Sequence, residues 1–251
     1  MATAAKQHLM TDGLVIREYD TVTESDRFIA IVTRERGLVR AAARGARKWK
    51  SRSSAGTQLL SYSRFSLVAG RDTYIVEDAR PLEVFFSLRH DVKRLALSQY
   101  FCELALHLVP SDTPAPYHLR LLLNGLHYLC DEGRDPLLVK AVVEARLLSL
   151  EGYAPDLSAC HRCGVAQGER FWFSPTSGVL CCDTCQREEE SLPLSPGVLA
   201  ALRHVFYGDF ERCFAFSLPP EEAAQLAMVT ERFLLAQQQR QYKTLAFFHT
   251  S

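Results

Sequence analysis

The sequence predicts an α+β multidomain chain, in which a small N-terminal barrel of five strands precedes an α-helical domain that carries an inserted four-cysteine module. Three observations carry this reading. The first 80 residues are short β-branched and aromatic runs separated by turn residues. After Pro81 apolar residues recur with a helical period. Residues 157–190 then break that period with two cysteine doublets. The expected boundaries are therefore 1–80 for the barrel, 81–251 for the helical domain and 157–190 for the insertion.

The five strand-like runs lie at about 13–19, 26–33, 38–43, 60–69 and 72–77. Arg36-Gly37 and Gly70-Arg71-Asp72 supply turns, because glycine adopts positive φ without a Cβ clash. Residues 45–56 are polar, basic and serine-rich, and read as a flexible loop. Helical periodicity begins near Val92, and Pro110, Pro114 and Pro116 end one helix and start another that runs to Cys130. Asp135-Pro136 opens a third, since aspartate caps helix N-termini and proline fits the first turn. These three helices are expected to make one core. Helices resume near 196–206 and 220–238.

The chain has 251 residues, of which 47% are hydrophobic and 23% charged, which excludes wholesale disorder. No apolar run is long enough for a transmembrane helix, and the first residues lack a signal-peptide pattern, so no membrane partner and a cytoplasmic location are expected. The net charge of zero hides an asymmetry. Residues 1–80 hold 14 Lys+Arg against 9 Asp+Glu, giving +5, and residues 81–251 hold 15 against 20, giving −5. Between Arg34 and Arg52, eight cations face the single acid Glu35, which suggests a polyanion-binding face confined to the barrel.

The strongest chemical signal is Cys160-x-x-Cys163 followed by Cys182-x-x-Cys185. Each doublet bends into a knuckle offering two sulfurs, and four thiolates close a tetrahedron with no position left for water, so one structural Zn²⁺ is expected. Ordering an insertion of this length costs about 1–2 kcal/mol per residue in backbone entropy, against roughly 10–16 kcal/mol returned by a structural zinc. Cys181 precedes Cys182 and offers an alternative third ligand with Cys-x-x-x-Cys spacing; knuckle geometry favours Cys182. His161 lies between softer ligands and reads as an exposed knuckle residue. Cys102, Cys130 and Cys213 read as core thiols.

The basic block is less specific. Arg40, Arg44, Arg47, Lys48, Lys50 and Arg52 follow a strand along the serine-rich loop, with Trp49 among them. Cations that track phosphates beside an aromatic that stacks on bases suit single-stranded nucleic acid. No phosphate-binding glycine loop, His-Glu-x-x-His, Gly-x-Ser-x-Gly or zinc-deaminase pattern occurs, so a non-enzymatic protein is expected.

Read in order, Gly13-Leu14-Val15-Ile16, Gly37-Leu38-Val39, Ala43-Arg44-Gly45-Ala46-Arg47, Leu147 to Pro155, Phe173, Gly178, Leu180, the cysteines and Lys243-Thr244-Leu245 resemble the bacterial RecO family of recombination mediators across essentially the whole chain. The resemblance implies an OB-fold barrel that binds single- and double-stranded DNA. It also implies annealing of complementary strands coated by single-stranded-DNA-binding protein, cooperation with RecR in loading RecA, and association with the nucleoid. By the same resemblance Arg44 and Arg47 are the principal DNA contacts, and a docking site for single-stranded-DNA-binding protein is expected near Arg146, Leu147 and Leu150. Aligned on Leu180, the third zinc ligand would instead be Cys181. A reading from a different class, a zinc-stabilised adaptor that binds protein or RNA without annealing DNA, stays open at this point.

Overall fold

The computed structural model describes residues 8–20, 23–168 and 170–251. In chain order its elements are β1 (His8–Tyr19), β2 (Arg27–Thr33), β3 (Gly37–Ala43), β4 (Ser61–Ala69), β5 (Tyr74–Val84), α1 (Val92–Leu108), α2 (Pro116–Cys130) and α3 (Pro136–Leu150). There follow β6 (Asp156–Cys160), β7 (Phe171–Ser174), β8 (Val179–Cys182), β9 (Leu192–Leu194), α4 (Pro196–Tyr207), α5 (Pro220–Gln238) and α6 (Lys243–Thr250).

Strands β1–β5 close into a barrel of order β1-β2-β3-β5-β4, the arrangement expected of an OB-fold. All pairings are antiparallel except β3 with β5, where Ala41 and Ala42 run parallel to Tyr74 and Ile75. Alternate residues point inward, so Val15, Ile29, Ile31, Val39, Ala41, Phe65 and Leu67 fill the barrel while Arg40 and Arg64 on the same strands are exposed. Two strands run longer than the sequence pattern indicates. β1 begins at His8, which pairs with Val68 of β4. β5 passes through Pro81 to Val84, beyond the expected boundary at residue 80. A shift of register between Tyr62 and Ser63 leaves an extra residue at Leu82 beside Pro81, and a bulge tolerates a proline that donates no ladder hydrogen bond.

The chain divides into two compact units. One comprises residues 1–130 together with 243–251; the other is residues 131–242. The expectation of one core made by the first three helices is therefore corrected: α1 and α2 stay with the barrel, and α3 belongs to the second unit. In the first unit the Asp91 side chain caps α1 by accepting from Arg94 N–H at 3.0 Å. The turn between β2 and β3 is tied to the segment before α2, because Leu38 N–H donates to Pro110 O at 2.9 Å and Ala115 N–H to Arg34 O at 3.0 Å. Gly37 sits at that junction with φ +59°, and a Cβ there would lie 2.1 Å from Pro110 O. Only glycine fits.

In the second unit Asp135 caps α3 with Pro136 in the first turn, as the sequence indicates, and Ser195 caps α4 by accepting from Val198 N–H at 3.1 Å. α3 is buried along nearly its whole length. It carries Lys140, whose Nζ lies 2.9 Å from Glu144 and 2.7 Å from Glu231 of α5 and donates to Ala227 O at 3.2 Å. Strands β6–β9 form a sheet of order β6-β8-β7-β9, which gives the cysteine module a hairpin framework. Among the described residues no helix is long and apolar enough to cross a membrane.

Candidate metal centre and nucleic-acid interface

The cysteine cluster is built by two tight turns brought together across the β6-β8-β7 sheet. At the first, Gly164 N–H donates to Cys160 O at 2.8 Å and Gly164 adopts φ +74°, the left-handed conformation that reverses the chain after Cys163. At the second, Cys185 N–H donates to Cys182 O at 3.4 Å. His161 N–H donates to Leu180 O at 2.9 Å and fastens the first turn to β8, while the His161 side chain is exposed.

The sulfurs of Cys160, Cys163, Cys182 and Cys185 all lie within 4.8 Å of one another, and those of Cys163 and Cys182 are 3.6 Å apart. A tetrahedral ion with sulfur bonds of about 2.3 Å separates its ligands by roughly 3.8 Å, so the four sulfurs fit such an ion. Cys181 stands outside this set and its sulfur contacts Gln186 O at 3.4 Å. The thiols are strongly unequal. Burial opposes ionisation of Cys160, but backbone N–H groups of Cys163, Cys182 and Arg162 outweigh it and hold this thiol down at about 5. Contacts to Cys182 and Cys163 push Cys185 up to about 12. Four sulfurs this close cannot all carry charge without a cation among them.

The basic segment lies on the other unit, directly after β3. Arg40, Arg44, Arg47, Lys48, Lys50 and Arg52 are exposed, and Trp49 is 97% exposed. The expectation of a flexible loop is corrected here. Residues 45–57 form a run of turns, with Lys48 N–H donating to Gly45 O, Ser51 N–H to Lys48 O and Thr57 N–H to Ser53 O. The run is fastened to the barrel at both ends: Asp26 accepts from Gly45 N–H at 2.6 Å, and Arg27 donates to Ser54 O at 2.5 Å and to Thr57 Oγ1 at 3.0 Å. Ser61 and Ser63 donate to Ala55 O and Gly56 O. The side chains that tie the segment down are Asp26 and Arg27 before it, Thr57 at its end, and Ser61 and Ser63 after it, which bond to its backbone. Ala46 and Thr57 are fully buried, leaving the cations and Trp49 outward.

Two family models match. "Recombination protein O N terminal" covers residues 7–85 and "Recombination protein O C terminal" covers residues 89–246. The chain belongs to the RecO family. Proteins named DNA repair protein RecO are similar over nearly its full length. That of Acetivibrio thermocellus is 34% identical over 97% of each chain. That of Symbiobacterium thermophilum is 36% identical over 95% of this chain and 96% of its own, and that of Desulforudis audaxviator 31% identical over 94% of each.

On the RecO barrel the sequence reading overlooked Arg17, Tyr19 and Phe28. Tyr19 and Phe28 are paired across β1 and β2 with ring centroids 5.6 Å apart, and the guanidinium groups of Arg17 and Arg40 lie 5.1 and 5.9 Å from the Tyr19 ring. Strand alternation was the signal that placed them outward beside Arg40. Of the partner-docking residues expected on α3, Arg146 and Leu147 are corrected. Leu147 is fully buried, Arg146 is 7% exposed and donates to Gly208 O at 2.6 Å, and Leu150 is half-buried. Arg146 holds the end of α4, and Leu147 offers no surface to a partner.

Proposed function

We propose that this RecO-family chain is a non-enzymatic DNA repair and recombination mediator. In this reading it binds single- and double-stranded DNA through the barrel, anneals complementary strands coated by single-stranded-DNA-binding protein, and with RecR helps load RecA, acting on the nucleoid in the cytoplasm. The observation that supports it most directly is the almost completely exposed Trp49 between Lys48 and Lys50, on a segment fastened to the barrel wall. An exposed indole flanked by cations offers a base a stacking partner and its phosphates a counter-charge, with little ordering cost left at binding. Arg40, Arg44, Arg47 and Arg52 extend the same positive surface.

Annealing needs no covalent step; a basic surface lowers the repulsion between two phosphate backbones. The four-sulfur cluster fits a single Zn²⁺, with Cys160, Cys163, Cys182 and Cys185 as its ligands. The ion would be a staple for the β6–β9 module, with no open coordination position for chemistry.

The test is annealing of complementary oligonucleotides pre-coated with single-stranded-DNA-binding protein. Wild type is expected to accelerate it. The variant Arg44→Ala, Arg47→Ala, Lys48→Ala, Lys50→Ala is expected to lose this acceleration while keeping its fold. Engagement of about five phosphates would weaken single-strand binding on the order of 100-fold between 50 and 200 mM salt. Unchanged, salt-dependent affinity in the variant removes this segment from the interface, and binding to RNA or protein without annealing would favour the adaptor reading.

A further inference from the structure

The cations that run together in the sequence are spread along the length of β3, with Arg40 exposed midway. β3 separates Arg34 and Arg36, at the β2–β3 turn, from Arg44 and the cations beyond it, and its 7 residues span roughly 23 Å. At the turn end, a groove of about 520 Å³ lies between the barrel and the start of α2, lined in part by Arg34, Tyr62, Tyr117, Arg120, Leu123 and Asn124. Among the described residues no carboxylate lines it. Of the acids nearby, Asp12 is held by both Arg64 nitrogens at 2.8 and 3.1 Å, and Glu35 accepts from Thr11. Arg34 and Arg120 are exposed and Tyr117 is 56% exposed. The two walls are locked together by the Ala115–Arg34 and Leu38–Pro110 backbone hydrogen bonds and by the close approach at Gly37, so the groove exists before any ligand arrives.

We propose that this groove is a second contact for single-stranded DNA, with Arg34 and Arg120 engaging backbone phosphates and Tyr117 stacking on an unpaired base. The proposal rests on the DNA-binding reading above and adds a site to it. A concave groove with two guanidiniums and an accessible phenol suits a strand whose bases can turn outward; a duplex keeps its bases stacked and offers Tyr117 nothing. Two contacts on one rigid unit, separated by the length of β3, hold two strand segments at a fixed spacing.

The experiment uses the full chain and a fluorescein-labelled oligothymidylate, with a duplex of equal length alongside. Arg34→Ala/Arg120→Ala is expected to weaken single-strand binding about 10-fold and to make the log–log salt dependence shallower by about 1.4, the value for two phosphates. Tyr117→Ala is expected to weaken it about 5-fold or more, with Tyr117→Phe restoring it and duplex affinity nearly unmoved. An unchanged Tm establishes that each variant is folded. Wild-type oligothymidylate affinity in both groove variants, together with loss in the Arg44/Arg47/Lys48/Lys50 variant, overturns the groove and leaves the function standing. Absence of oligothymidylate binding by wild type overturns the function and the groove with it. A labelled oligoglutamate peptide that binds wild type and not the groove variants, with DNA binding unaltered, makes the groove a peptide site and also overturns the proposal.

Discussion

The carboxylate of Glu103, on α1, caps a helix that begins 140 residues later: it accepts from Lys243 N–H at 3.3 Å, from Thr244 N–H at 2.9 Å and from the Thr244 hydroxyl. A carboxylate at a helix N-terminus satisfies orphan donors and meets the positive end of the helix dipole.

Replacing Glu103 by alanine is expected to cost about 1–2 kcal/mol, read as a lowered urea midpoint. Burial works against its ionisation, but the Thr244 and Lys243 hydrogen bonds outweigh burial and hold the carboxyl below its ordinary value of 4.5. A carboxyl depressed on folding stabilises the folded form above its ordinary value and loses that contribution as pH falls through the folded one. Wild type is therefore expected to lose stability below about pH 4.5 more steeply than Glu103→Gln, whose stability lacks this component.

Lys140 is expected to tolerate no simple truncation. With 1% of its side chain exposed, and Glu144 fully buried, Lys140→Met leaves a carboxyl already pushed up by burial without its counter-charge. The expected loss is about 3–5 kcal/mol in urea unfolding, partly recovered by Glu144→Gln in the same chain.

Cys182→Ser is expected to lose bound zinc and Cys181→Ser to retain it, as measured by metal content after purification. Chelation of the wild type is expected to expose the β6–β9 module to protease, since a structural metal held by these four sulfurs would contribute folding free energy there.

Trp49→Ala is expected to weaken oligothymidylate binding by about 1–3 kcal/mol, and in the wild type Trp49 fluorescence is expected to be quenched on binding. Gly37→Ala is expected to cost on the order of 3 kcal/mol in thermal unfolding, because the site requires positive φ and has no room for a methyl group.

What could be read in the sequence was what repeats locally. Strand alternation placed all five barrel strands, Asp135-Pro136 announced α3, and the spacing of the doublets announced the sulfur cluster. What could not be read depends on partners far along the chain. Pro81 looked like the end of the barrel because the bulge opposite Tyr62 and Ser63 that admits it is a property of β4 as much as β5. Knuckle spacing favoured Cys182 and alignment on Leu180 favoured Cys181; the cluster holds Cys182. α6 was missed because its cap lies on α1. The spread of the basic block along the length of β3 was invisible in a linear count of charge.

The return of residues 243–251 to the first unit also bears on synthesis. A ribosome releases β1 through α2 early, yet the helix that Glu103 caps emerges only after the whole second unit has been made. The barrel-bearing unit therefore stays unfinished while its neighbour folds. A chain broken off anywhere in the second unit leaves Glu103 facing solvent, so an incomplete product carries its defect in the unit that was made first.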